Sequence, residues 1–163
     1  MIYIMIAVLI AFTEYLIKNY IEAKIQKGEK YDILNGKITI NKLYNKGAFL
    51  NLLENKKEIV KTISCTFLGL LLLLFAITLP KKGNKLMKLG LSLIVGGAIS
   101  NVSDRCLRGY VVDYFSINSK RFKKLKNIVF NLADMAIFLG GLLVILSSIF
   151  SAIIERCTNK AAE

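Results

Sequence analysis

The chain has 163 residues, is 55% hydrophobic with a mean hydropathy of +0.52, and carries a net charge of +12. A soluble domain is usually about 45–50% apolar, so the excess asks for a bilayer. There is no His, which excludes a Ser-His-Asp triad, a Cys-His pair and most zinc sites; a hydrolase here has to use carboxylates or lysine.

Met1 to Ile17 is apolar apart from Thr13 and Glu14. It lacks the positive n-region and small-residue cleavage site of a signal peptide, so it predicts a retained membrane helix over about 2–18. A polar segment, about 19–62, follows. In it Asn35-Gly36 lies between Asp32-Ile33-Leu34 and Lys37-Ile38-Thr39-Ile40, a hairpin signal because both turn residues need positive φ. Glu54 to Lys61 predicts a short amphipathic helix. The second span, about 63–79, has an unbroken apolar core from Phe67 to Ala76 and is closed by Pro80 and the run Lys81 to Lys85. The third, about 86–102, carries Lys88 near its start, where it is expected to snorkel. A second polar segment, about 103–129, holds an extended strand over Tyr110 to Ile117 and a basic stretch from Lys120 to Lys126. The fourth span, about 130–154, begins with Asn131 and Asp134.

The expected fold is mainly α: a polytopic membrane protein of four transmembrane helices with a small β hairpin subdomain on one face. Both polar segments lie on one side of the membrane, and the Pro80–Lys85 loop and the termini on the other. Gly96-Gly97 with Ala136 and Gly140 place small residues at helix-contact spacing and predict close packing of the third and fourth spans. The polar segments, counted from Lys18 at the end of the first span, carry 17 of the 23 Lys and Arg; by the positive-inside rule this bias puts them in the cytoplasm. The charge suits anionic lipid better than nucleic acid, since the lysines sit between apolar runs. Three Cys, at 65, 106 and 157, make an odd count that argues against a disulfide framework, and Cys65 reads as apolar filler.

Acids in or beside a membrane are costly and point to function. Here they are Glu14, Asp104, Asp113 and Asp134, the last three at one end of the third and fourth spans. Asn101, Asp104 and Arg105 share a helix face at i, i+3 and i+4, and Asn131 shares one with Asp134. Arg105 is expected to neutralise Asp104, which leaves Asp113 and Asp134 without an obvious cation. Two carboxylates held close divide into one protonated and one ionised group, the split that peptide hydrolysis needs. Spacing alone favours two unrelated acids, Asp134 serving as a dipole partner of the fourth helix.

Asn45-Lys46-Gly47-Ala48 resembles the Asn-x-Gly-Ala motif of the lipoprotein signal peptidases (signal peptidase II). Gly96 through Arg105, with Gly109 and Val111-Val112-Asp113-Tyr114, resembles the central block of that family, and Phe130-Asn131-Leu132-Ala133-Asp134 its last block. The blocks occur in order, and the four-span plan fits. The resemblance implies a single membrane-embedded peptidase domain over 1–163. It would be an aspartyl endopeptidase that cuts prolipoproteins before a diacylglyceryl-modified cysteine, with no cofactor and no metal. Asp113 and Asp134 would be the catalytic pair. Asn45, Asn101, Arg105 and Asn131 would line the site, Gly47 and Gly109 would admit close backbone approach, and Asp104 would hold Arg105. The first polar segment would be a β cradle with a mobile flap. The implied partners are lipidated prolipoproteins and membrane lipids, not nucleic acid, with the chain a monomer. The implied location is the bacterial cytoplasmic membrane with the site on its outer face, opposite to the charge bias.

Three departures stand out. The family's first helix carries an Asp and a Lys one turn apart, positions assigned here to Ile10 and Glu14. Phe49-Leu50-Asn51 replaces a small-Phe-Ser run, and Tyr114 a common Phe. Glu14 is left to pair with Lys18 or to reach toward Arg105. The alternative reading is a non-catalytic paralogue that binds lipidated peptides in the membrane.

Overall fold

The computed structural model describes residues 1–47, 54–118 and 128–160. The chain forms α1 (Ile2–Lys24), β1 (Lys30–Ile33), β2 (Ile38–Asn45), a 3-10 turn (Glu54–Lys56), α2 (Lys57–Thr78), α3 (Lys85–Leu107), β3 (Val111–Ile117) and α4 (Leu132–Lys160). All four helices are long and apolar enough to cross a membrane. The expected mainly α plan with a small sheet is therefore what the chain adopts.

Helix ends differ from the hydropathy limits for a physical reason. α1 continues past Lys18 because its buried stripe, Ala7, Glu14, Lys18 and Ile21, includes charged residues turned inward. Polarity there marks a protein-facing side, not a helix end. The helix expected over Glu54 to Lys61 is no separate element: the 3-10 turn runs directly into α2. Inside the spans, Thr78 and Ser92 donate their hydroxyls to the carbonyls of Leu74 and Lys88, both at 2.7 Å, so each hydroxyl is satisfied within its own helix. Lys88 reaches back toward the loop before α3, as a snorkelling lysine would, but its partners there are protein groups. It is buried, donates to the Lys81 carbonyl and lies 5.9 Å from the centre of the Tyr3 ring.

α3 is the centre of the bundle and packs on α1, α2 and α4. Of its apolar stretch 56% is buried, against 11% for α2 and for α4. Small residues permit this. A Cβ on Gly97 would meet the Ala133 carbonyl of α4 at 2.5 Å, and Gly90 and Gly140 face each other's backbones. The expected α3–α4 contact is thus present, although Gly96 turns instead to α1, against the Ala7 carbonyl.

The Asn-Gly hairpin forms. β1 and β2 pair antiparallel with Ile33 opposite Ile38, and Leu34, Asn35 and Gly36 all take positive φ. β2 pairs with β3, with a bulge between Ile40 and Leu43. On the far side of β3 the chain returns at Phe130, whose N–H donates to the Phe115 carbonyl at 2.7 Å. The basic stretch Lys120 to Lys126 and the Phe49-Leu50-Asn51 departure fall outside the described residues.

Candidate active site

The site is assembled where β2, β3, the end of α3 and the start of α4 meet. The β2–β3 register sets Leu43 opposite Asp113 and Asn45 opposite Val111. Asn45 and Asp113 are therefore diagonal neighbours on one face of the sheet. Asn45 Nδ2 donates to Asp113 Oδ2 at 3.1 Å. The Phe130 bridge then delivers Asn131 beside β3, and its Nδ2 donates to the other Asp113 oxygen at 2.7 Å. Asn131 also caps α4: its Oδ1 accepts the Asp134 N–H at 2.8 Å, while its own N–H donates to Asp134 Oδ2 at 3.1 Å. One fully buried residue thus holds both carboxylates, Asp113 on the sheet through its side-chain amide and Asp134 in the first turn of a membrane helix through its backbone N–H.

From α3, Asn101 Nδ2 donates to Asp134 Oδ1 at 2.9 Å. Asn101 Oδ1 accepts from the Lys18 ammonium at 2.9 Å, which fixes which end of the amide faces the acid. Arg105 reaches back, donating to the Asn101 carbonyl at 3.2 Å and the Gly47 carbonyl at 3.1 Å. Its Nε is buried with no partner among the described residues. Burial, and next the nearby Asp134 carboxylate, push the Asp113 acid up to about 7. A carboxyl so placed holds or yields a proton near neutrality.

The residues expected at the site, Asn45, Gly47, Asn101, Arg105, Asp113, Asn131 and Asp134, are brought together. Three expectations need correction. Asp104 is not the partner of Arg105. It is bound by Lys18 at 3.0 Å and by Arg108 Nε at 3.0 Å, and it accepts the Val112 N–H at 3.2 Å. Adjacent residues on a helix diverge by about 100°, while Arg108 stands one turn on, on the same face. Gly109 does not admit a close approach. An added Cβ would meet nothing within 4 Å, and its positive φ of 78° simply turns the chain from α3 into β3. The first helix does carry an acid and a lysine one turn apart: they are Glu14 and Lys18, not Ile10 and Glu14. They are fully buried and 3.8 Å apart.

Arg108 is the candidate-site neighbour that sequence reasoning missed; the expected pairing of Lys18 with Glu14 is present, and Tyr114, noted only as a replacement for Phe, has a wider part than expected. Lys18 is a buried hub for Glu14, Asp104, Ser100 and Asn101. Arg108 joins Asp104 to Glu22 at 3.6 Å and donates to Asn19 at 2.6 Å. Tyr114 donates its hydroxyl to Glu14 at 2.8 Å and accepts the Leu132 N–H at 3.0 Å, and Glu14 accepts the Ala133 N–H at 3.2 Å. The free N–H groups of the α4 start are thus met from α1 and β3. The i, i+4 spacings Glu14/Lys18 and Asp104/Arg108 were the signals available.

Four apolar helices around a buried carboxylate cluster at one end define a multi-pass membrane protein with a candidate acid active site. Residues 6–150 match the family described as signal peptidase (SPase) II. A lipoprotein signal peptidase of Lactobacillus johnsonii is 30% identical over 148 residues, covering 91% of this chain and 92% of that protein. One of Clostridium tetani is 32% identical over 123 residues, 76% of each chain. A bacterial membrane enzyme solved in meso at 2.3 Å superposes with a TM-score of 0.77 at 25% identity, covering 97% of this chain and 90% of that one. The chain belongs to the signal peptidase II family and is a membrane peptidase.

Proposed function

We propose that this chain is an aspartyl endopeptidase that removes signal peptides from diacylglyceryl-modified prolipoproteins, cutting before the lipidated cysteine. The observation that carries the reading is the joint hold of Asn131 on Asp113 and Asp134. Two carboxyls tied to one residue, Asp113 through its side-chain amide and Asp134 through its backbone N–H, with burial pushing Asp113 up to about 7, are suited to share a proton. The ionised member takes a proton from water as the water attacks the scissile carbonyl carbon. The protonated member hydrogen-bonds the carbonyl oxygen as charge develops there. When the tetrahedral adduct collapses, the C–N bond breaks and the leaving amine takes a proton from the pair.

Asn45, Asn101 and Asn131 orient the two acids in this scheme, and Arg105 offers its Nε, without a partner among the described residues, to the substrate backbone. Asp104 anchors Lys18 from behind, and the Gly47 carbonyl holds Arg105. The names of the relatives support lipoproteins as substrates. A lipid-anchored cysteine keeps its acyl chains in the bilayer and presents the scissile bond at the helix mouths, where Asp134 begins α4. Membrane lipids surround the exposed apolar faces, the working unit is one chain over 1–163, and the chemistry needs neither metal nor cofactor.

The proposed location is the bacterial cytoplasmic membrane with the site outward. The charge bias against this is weaker than a count implies. Of the 17 cations in the polar segments, Lys18 is buried, Lys42 and Arg108 are paired with Glu22, and Arg105 points into the site. A topology reporter at Asn84 should read cytoplasmic; an external reading removes the orientation. Cleavage of a diacylglyceryl-modified prolipoprotein by wild type, with loss in Asp113→Asn and in Asp134→Asn, tests the chemistry. Full turnover by either variant sinks the paired-acid reading.

A further inference from the structure

Two of the three cysteines lie against each other. Cys65 of α2 and Cys106 of α3 are 41 positions apart, yet their sulfurs are 3.7 Å apart, and both thiols are free and exposed. Cys106 is the penultimate residue of α3, beside Arg105, and Lys61 stands one turn before Cys65. Flanking cations of this kind mark the membrane interface, where water and small solutes have access. Cys65, read from the sequence as apolar filler, thus stands against a second thiol, and the odd count of cysteines hides a pair.

We propose that Cys65 and Cys106 form a dithiol–disulfide site that staples α2 to α3 beside the acid cluster. A disulfide needs sulfurs about 2.05 Å apart, and both side chains are exposed, so rotation about their own χ angles is open to them. The oxidant is a disulfide, small or protein-borne. One cysteine loses its proton to solvent and attacks a sulfur of that disulfide, whose other sulfur leaves as a thiolate. The second cysteine, likewise deprotonated, attacks the mixed disulfide and expels the remaining thiolate. Two cysteines are oxidised by two electrons, and the oxidant becomes two thiols by taking up two protons.

The bond would act where the site is held. Arg105 and Cys106 are consecutive: the first grips the Gly47 carbonyl and the second abuts Cys65. The end of α3 thereby holds the chain on both sides of the stretch that leads from β2 into α2. A covalent link closes the α2–α3 hairpin at its open end, opposite the Pro80–Lys85 turn.

The full chain in detergent would be treated with oxidised glutathione and measured by intact mass and peptide mapping. Loss of two hydrogens and a Cys65–Cys106 peptide pair, in wild type and Cys157→Ser but in neither Cys65→Ser nor Cys106→Ser, is the expected result. Glutathione adducts that persist on both thiols, or a loss that survives either substitution, overturns the site. The oxidised chain should also melt higher than the reduced one, with no such gain in Cys65→Ser; equal melting overturns the staple.

Discussion

α2 and the junction of α1, α3, α4 and β3 solve opposite problems with the same bilayer. α2 has an unbroken apolar run from Phe67 to Ala76 and only 11% of its apolar stretch is buried, so Phe67, Leu70 and Leu73 face outward. The junction is buried yet holds Glu14, Lys18, Asn101, Asp104, Asp113 and Asn131. In water the inside of a protein is the apolar part; here the outermost surface is. Lipid accepts any apolar side chain, whereas each buried polar group needs its particular partner. The lesson is one of tolerance: substitutions at the junction should be felt strongly, and on α2 hardly at all.

The largest effect is expected for Asp113→Asn and Asp134→Asn, each lowering prolipoprotein cleavage by about 10²–10⁴-fold, the scale of one general acid or base. Turnover followed in a single-substrate assay checks this. An α2 surface variant with a comparable loss would erase the contrast between the two regions.

Next is Lys18→Met. It strands Glu14 and Asp104, and breaking a buried ionic group in this way costs about 3–5 kcal/mol. A depressed melting temperature is expected; an unchanged one means the hub is not what holds α1 to α3.

A smaller effect sharpens the comparison between glycines. Gly97→Ala drives a Cβ toward the Ala133 carbonyl and should cost about 1–3 kcal/mol, displacing Asn101 from Asp134. Gly69→Ala on α2 meets open space and should stay within about 0.5 kcal/mol of wild type. Equal melting and equal activity for the two would contradict the packing.

The finest test is pH. Asp113 titrates at about 7 in the folded chain against an ordinary 3.8. The shared proton is therefore present below about 7 and lost above it, so cleavage should fall on the alkaline side near 7. Asn45 holds that value down through its hydrogen bond, so Asn45→Ala should move the limb to higher pH; a shift downward refutes the assigned contact. The same shift sets a stability slope. Between 3.8 and about 7 the folded state keeps a proton that the unfolded state has released. This contribution is full at low pH and lost as pH rises through 7. Asp113→Asn should flatten the decline in melting temperature over that window.

The sequence by itself determined a good deal. Hydropathy runs fixed four spans, Asn35-Gly36 fixed the hairpin because left-handed backbone is rare outside such residues, and three ordered motif blocks marked Asn45, Asn101, Asp113, Asn131 and Asp134. Only the tertiary structure decided how charges are paired. Lys18 looked like the end of a span because hydropathy scores a side chain without its neighbours, and Asp104 looked matched to Arg105 because proximity in sequence stood in for proximity on a helix face. Ion pairing depends on distance and direction across elements far apart in the chain: Lys18 to Asp104, Tyr114 to Glu14 and Cys65 to Cys106 exist only once α1, α2, α3 and β3 have packed. Local composition carries no trace of them, since each partner lies dozens of residues away, and for Lys18, Asp104, Glu14 and Tyr114 it is that partner which lowers the cost of burial.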